Sequence, residues 1–263
     1  VPFTLSHAIV AVPFARTAVP AGAVAAGAMA PDLPLFLPVG FDYESTHELP
    51  WFPVTGLLLA FVAFALWRVV VRPVLPGVLP RALRERMPAD WCGGAADGWR
   101  SLGRSGRDVA LLVAALAIGV ATHIVWDGFT HAGRWGTALV PALDRSLGGI
   151  PIAVWLHYLS SLAGLVALAA WVAWWLNRRH PIARNALPDR TTTVLFWTVT
   201  VAGVIAGIVV AALTTTHRPG ASGLFDLALG ITTTAGGYLV VAVLLASVLV
   251  QVARARGRRS ALR

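Results

Sequence analysis

His123, Asp127 and His131 stand at i, i+4 and i+8 in the run Thr122-His123-Ile124-Val125-Trp126-Asp127-Gly128-Phe129-Thr130-His131. On a helix that continues so far, this spacing sets all three on one face, with neighbours about 6 Å apart along the axis. Imidazoles and a carboxylate so arranged suit one divalent cation shared by adjacent ligands, or two cations bridged by the central carboxylate. A neutral histidine bonded to a backbone carbonyl is the plainer account of a lone His; three ligand types in register ask for more. Asp32 lies in Ala30-Pro31-Asp32-Leu33-Pro34, where the prolines fix the backbone and hold the side chain in a defined place. Thr46-His47-Glu48 follows just ahead of Pro50, His7 ends the run Phe3-Thr4-Leu5-Ser6-His7, and His157 lies in Leu156-His157-Tyr158-Leu159-Ser160-Ser161.

The expected metal ligands are therefore His7, Asp32, His47, His123, Asp127 and His131. Asp32 or Glu48 is the candidate general base, although Asp42, Glu44 and Glu48 also read simply as solvated loop charges. His157 is a further ligand, a partner of a ligand, or a group that orients the leaving oxygen. Arg134 directly follows the cluster and is placed to hold an anionic headgroup. His180 and His217 occupy arginine-bearing loops without ligand companions and stay outside the expected site. No nucleophile elbow surrounds Ser160-Ser161, and no Gly-rich phosphate loop is present.

A membrane bundle must position these groups. Of 263 residues, 57% are hydrophobic and 13% charged, and the mean hydropathy is +0.72. A soluble domain carries about a quarter charged residues and about 45–50% apolar ones, so the excess must face something other than water. The single cysteine, Cys92, forms no internal bridge and reads as a cytosolic thiol. The formal charge of +9 comes with no lysine at all, and the arginines sit between apolar runs. That pattern describes membrane topology and argues against a nucleic-acid groove.

Five segments are long enough for a hydrocarbon core of about 30 Å: Trp51–Val71, Val109–Trp126, Ile152–Leu176, Thr192–Leu213 and Leu224–Val252. In the last, Gly230, Gly236 and Gly237 permit a bend or close packing. Tryptophans crowd the span ends, as headgroup belts do. The segment Arg72–Arg107 holds seven arginines, Asn177–Arg190 four and Arg254–Arg263 five, whereas Asp127–Pro151 holds two and Thr214–Gly223 one. The rich loops are expected in the cytoplasm, which turns 31–50, 127–151 and 214–223 outward and leaves the C-terminus inside. A weaker Ala-rich stretch, Ala8–Ala30, contains Pro13, Arg16 and Pro20. It either crosses once, leaving His7 on the cytoplasmic side, or forms a hairpin that brings His7 back to Asp32. The prolines favour the hairpin, with Arg16 needing to snorkel or pair.

The expected fold class is all-α: a polytopic bundle of five strong spans plus an N-terminal hairpin or sixth span, in one membrane domain over 1–263. Within it, 1–50 form the hairpin and outward loop, 72–108 a cytoplasmic connector with a short amphipathic helix near Pro80–Met87, 109–176 the metal-site helices, and 192–252 a C-terminal pair. No internal repeat is evident. The opening residues lack a basic region and a cleavage site, so targeting to the cell (inner) membrane is expected from the spans themselves.

Pro2-Phe3-Thr4-Leu5-Ser6-His7, Ala30-Pro31-Asp32, Thr46-His47, His123-x3-Asp127-x2-Thr130-His131 and Leu156-His157-x2-Ser160 together resemble a bacterial multi-pass membrane family whose members start M-P-F-T-x-x-H. The resemblance covers most of residues 1–165, and the last two spans are not diagnostic. That family is in turn similar to the membrane-bound metal-dependent hydrolases and, more distantly, to the zinc-dependent phospholipase C group, which also uses an H-x3-D helix motif. Here His131 comes earlier than that group's downstream histidine, and Ser161 stands where an H-x3-E pair with His157 needs a glutamate. This departure speaks against a third metal. The resemblance implies one or two ions, zinc foremost, acting on a phosphoester or similar ester.

The expectation is thus a membrane-embedded, metal-dependent hydrolase with its site at the outer leaflet and a lipid or lipid-linked substrate. The metal lowers the pKa of a bound water toward about 7 and polarises the scissile oxygen. One alternative is a magnesium-dependent enzyme using an isoprenyl diphosphate, like a prenyl transferase or terpene cyclase; imidazoles outnumber carboxylates and no D-D-x-x-D run exists, which disfavours it. A second is a non-enzymatic divalent-metal-binding protein. A carrier should bear ionisable groups deep in several spans, yet Thr192–Leu213 has no charge and Leu224–Val252 only Asp226.

Overall fold

The structure, a computed structural model, describes residues 4–48, 50–182, 189–214 and 221–260, with side chains for all of these except 221–226 and 258–260. Pro2, Phe3, Arg184, His217, Arg218 and the end of the arginine-rich tail lie outside the described residues, and so do the expectations that fell on them.

Helix α1 (Thr4–His7) runs into a tighter 3₁₀ stretch, Ala8–Phe14, and after a turn α2 (Ala21–Met29) returns. The hairpin expectation is therefore the correct one. Pro13 is accommodated in the 3₁₀ stretch, and Pro20 stands extended (ψ 100°) at the start of α2, so the chain reverses between them. The tip reaches the far end of the bundle: Ala18 and Pro20 line a polar cavity with Arg68, Arg104 and Asp108. Arg16 stays exposed there, its guanidinium 5.5 Å from the Trp174 ring centroid, which meets the need of a cation so placed.

Beyond α2, a 3₁₀ turn (Ala30–Leu35) carries Asp32, and α3 (Tyr43–His47) carries His47. Asp42 caps α3 by accepting from Ser45 N at 2.7 Å, a bond that also holds its carboxyl below the usual carboxylate range. The first long span is α4 (Phe52–Leu66), which widens into a π turn over Trp67–Val71. The connector contains α5 (Leu75–Val78), α6 (Arg81–Arg84) and α7 (Ala95–Arg100). The amphipathic helix expected near Pro80–Met87 is only the single turn α6, because Pro80 and Pro88 bound it on both sides.

Helix α8 (Gly106–Thr130) is followed by α9 (Trp135–Leu139) and a hairpin of β1 (Ser146–Leu147) and β2 (Ile150–Pro151). Gly148 and Gly149, at φ 63° and 81°, supply the two left-handed positions that so tight a turn requires. Then come α10 (Ile152–Asn177), α11 (Arg190–Thr214) and the 40-residue α12 (Ala221–Ser260). Among the described residues five helical stretches are long and apolar enough to cross a membrane: Phe52–Val71, Gly106–Thr130, Ile152–Asn177, Arg190–Thr214 and Leu227–Gly257. The chain is an integral membrane helix bundle, with spans within a few residues of those expected.

Small residues set the depth of packing. A Cβ on Gly27 would run into the Leu116 carbonyl, and one on Gly119 into the Val24 carbonyl, so α2 and α8 touch backbone to backbone. Around this contact Val24, Ala60, Phe64, Leu116 and Val120 form the main core. A second core joins Phe196 of α11 and Ala246 and Val250 of α12 to Val74 and Val78. Gln251 Nε2 donates to the carbonyls of Val69 and Val70 at 3.1 and 2.8 Å, satisfying acceptors in the π turn. The glycines of α12 do not break it; Gly236 and Gly237 make room for Phe36.

Candidate metal centre

Three separate pieces of chain deliver the site. Helix α8 presents His123 and Asp127 one turn apart, the Ala30–Leu35 turn presents Asp32, and α3 presents His47. All four side chains are buried, His123 completely. Each offers one ligating atom, and these atoms lie within 4.8 Å of one another.

The hydrogen-bond network orients both imidazoles. His123 Nδ1 lies 2.7 Å from Ala28 O and His47 Nδ1 2.8 Å from Tyr43 O. A carbonyl only accepts, so in each ring Nδ1 donates its proton and Nε2 of the neutral ring keeps its lone pair. Burial, and then the neighbouring His123, push His47 below its ordinary pKa, toward that neutral form. The two Nε2 atoms are 3.1 Å apart. Asp127 Oδ2 is 3.3 Å from His123 Nε2 and 3.7 Å from His47 Nε2; Asp32 Oδ1 is 3.5 and 3.7 Å from the same two atoms. Ligands bound tetrahedrally at about 2.1 Å stand about 3.4 Å from each other. The observed separations bracket that value. Backbone-anchored imidazoles aiming their other nitrogen at a common point are also the usual arrangement around a metal.

Further side chains hold the carboxylates. Thr4 Oγ1 donates to Asp32 Oδ2 at 2.6 Å, turning Oδ1 toward the histidines. Asp127 Oδ1 is buried without a hydrogen-bond partner; His7 Nε2 stands 3.5 Å away. The His7 ring lies 4.1 Å from that of His123, so the hairpin returns His7 to the edge of the cluster. Tyr43 stacks on His47 with ring centroids 3.8 Å apart. Burial, then the charges of Asp127 and Asp32, raise its phenol above the usual value, so it remains a protonated donor beside the carboxylates. Thr46, fully buried, donates to Pro31 O at 2.8 Å and ties α3 to the Asp32 turn.

Two expectations need correction. Helix α8 stops at Thr130, and His131 is extended (φ −116°, ψ 125°), so the i+8 member leaves the helical face. It must, because α9 folds back to set Gly136 directly against Gly128. His131 Nδ1 still lies 3.7 Å from Asp127 Oδ2, with its side chain 36% exposed, and its ring meets that of His157 at 4.7 Å. These two histidines sit at the rim. Glu48 is not part of the buried four-residue cluster: it is exposed and pairs with Arg134 Nη1 at 3.0 Å, which speaks against it as the base. Arg134 lies at the same rim, 5.8 Å from the Tyr43 ring centroid.

The sequence reading missed Thr4, Tyr43 and Thr46. Thr4, one helical turn ahead of His7, and Thr46, beside His47, stood in the motifs without a role assigned to them; Tyr43 and the carbonyls of Ala28 and Tyr43 left no signal.

Fold and site together define a class: a multi-pass helical membrane protein with a buried two-histidine, two-aspartate centre able to hold a metal ion. The chain belongs to the family described as Domain of unknown function (DUF4184), whose model matches residues 1–249. No curated protein and no solved structure matches it.

Proposed function

We propose that this protein is a membrane-embedded, metal-dependent hydrolase that cleaves a phosphoester or other ester of a lipid-like substrate at the outer leaflet. The observation that carries the proposal is the convergence of His47 Nε2, His123 Nε2, Asp32 Oδ1 and Asp127 Oδ2 within 4.8 Å, in a setting where isolated polar groups are costly. Outward placement rests on the arginine distribution.

His47, His123, Asp32 and Asp127 would hold the ion, with His7 and His131 flanking Asp127 for a second. Imidazole in the set favours zinc over magnesium, and so ester hydrolysis over ionisation of a diphosphate. When bound, the ion supplies Lewis acidity and a water of lowered pKa. Asp32 is the better base of the two carboxylates considered. Thr4 holds its Oδ2, so Oδ1 is the oxygen that faces the cluster, to ligate the ion or, where the other three ligands hold the ion, to take a proton. The buried walls exclude bulk water, while His157 at the rim, its ring 4.7 Å from that of His131, is placed to orient the leaving oxygen. Arg134 retains donors beyond its bond to Glu48 for an anionic headgroup.

Elemental analysis of the purified protein, joined to hydrolysis assays on phosphoester and carboxylester lipids, tests the reading. One or two zinc ions per chain and turnover that chelation abolishes and zinc restores are expected. A metal-free, fully folded wild type, or turnover indifferent to chelators, overturns it.

A further inference from the structure

Between α8, α10 and the N-terminal segment lies a groove of about 650 Å³, walled by His7, Val10, Val125, Trp126, Ala163 and Gly164. That volume is ordinary for a small-molecule site, yet this one opens sideways. Ala121, Val125 and Ala163 on its walls are exposed on spans that face lipid. Its depth comes from small residues: Gly164 packs against Ser6, with an added Cβ 3.1 Å from that residue, so the N-terminal segment forms the floor. Trp126 Nε1 donates to Ser160 Oγ at 3.3 Å, a bridge from α8 to α10.

We infer that this groove seats the head-proximal part of one alkyl chain of a membrane lipid, which enters sideways from the bilayer with its head at the metal centre. His7 makes the connection. Its ring lines the groove, while its Nε2 stands 3.5 Å from Asp127 Oδ1, the buried oxygen that has no hydrogen-bond partner. A chain lying against Val10 and Val125 therefore ends one side chain away from an unsatisfied polar atom of the cluster. A partner helix fits poorly. It is about 10–12 Å across and needs about 20 residues of span, whereas the groove covers only 121–126 of α8 and 160–167 of α10. Lipid tails are as apolar as these walls, so the groove adds little affinity and acts by fixing position. The location of the head rests on the proposed function; the seat of the chain does not.

The probe is a C16 alkyl phosphate carrying a diazirine near the head, dispersed in phosphatidylcholine vesicles holding the full-length protein. After irradiation, adducts are mapped by mass spectrometry and metal content is measured on the same sample. Adducts on 6–10, 121–126 and 160–167 should exceed those on the equally exposed Val201 and Ile205 of α11 at least 5-fold. Ala163→Trp, on the exposed edge, should cut them at least 5-fold with bound metal unchanged, and Ala121→Phe should do the same from the opposite wall. Labelling spread evenly over α11 and the groove, or untouched by both variants, overturns the inference. Focused labelling of a metal-free wild type keeps the groove and removes the hydrolase; a metal-loaded protein with diffuse labelling does the reverse.

Discussion

Helices α8 and α11 are close to interchangeable by hydropathy: 25 residues each, with values of 2.3 and 2.4. Both also pack through glycines. Gly119 of α8 meets Gly27 of α2, and Gly203 and Gly207 of α11 meet Ala242 and Tyr238 of α12. The results differ in kind. At α2 the close approach brings the Ala28 carbonyl to His123 Nδ1, so a packing contact sets the tautomer of a ligand. At α12 it brings van der Waals contact, and the hydroxyl of Thr200 is satisfied within its own helix by Phe196 O at 2.8 Å. Overall apolarity locates the bilayer; the few ionisable groups that pay for burial locate the chemistry.

Substitutions can break this contrast. The largest effect is expected from Asp127→Ala and His123→Ala. Each removes one partner from a buried, mutually compensating set, which costs about 3–5 kcal/mol and should eliminate bound metal. Thermal unfolding in detergent and elemental analysis read both, and normal metal content in either variant would refute the site. Next come Gly119→Leu and Gly203→Leu. Overpacking costs about 1–3 kcal/mol in each, but only Gly119→Leu should lose metal, by at least 10-fold, although it touches no ligand. Equal metal retention would mean that the α2–α8 approach does not position His123.

Smaller steps sharpen the picture. Thr4→Val removes the hydroxyl that turns Asp32, and loss of such a supporting bond weakens metal binding about 10–100-fold. Competition with a chromophoric chelator measures it, and an unchanged affinity would assign Thr4 to packing alone. The smallest effect belongs to Glu48→Gln. Its exposed pairing with Arg134 is worth at most about 1 kcal/mol, so melting should barely move and metal content should stay constant. Loss of turnover there, with metal content unchanged, would restore Glu48 as the base.

Much was legible in one dimension. Span number and approximate ends follow from apolar length, and His7, Asp32, His47, His123 and Asp127 stand out because ionisable groups are scarce in such a chain and expensive where they occur. Those are properties of residue type along the polymer, which is why sequence alone determined them. The fold of Ala8–Ala30 was harder: prolines allow a break, but only the seat between α4 and α8 decides that the chain turns back. Tertiary structure alone decided that His131 leaves the helix to let Gly136 reach Gly128, that Glu48 is claimed by Arg134, that Thr4 turns Asp32, and that two backbone carbonyls aim the imidazoles at one point. Each depends on how closely two helices approach, and that distance is set jointly by residues far apart in sequence, a quantity no local pattern encodes.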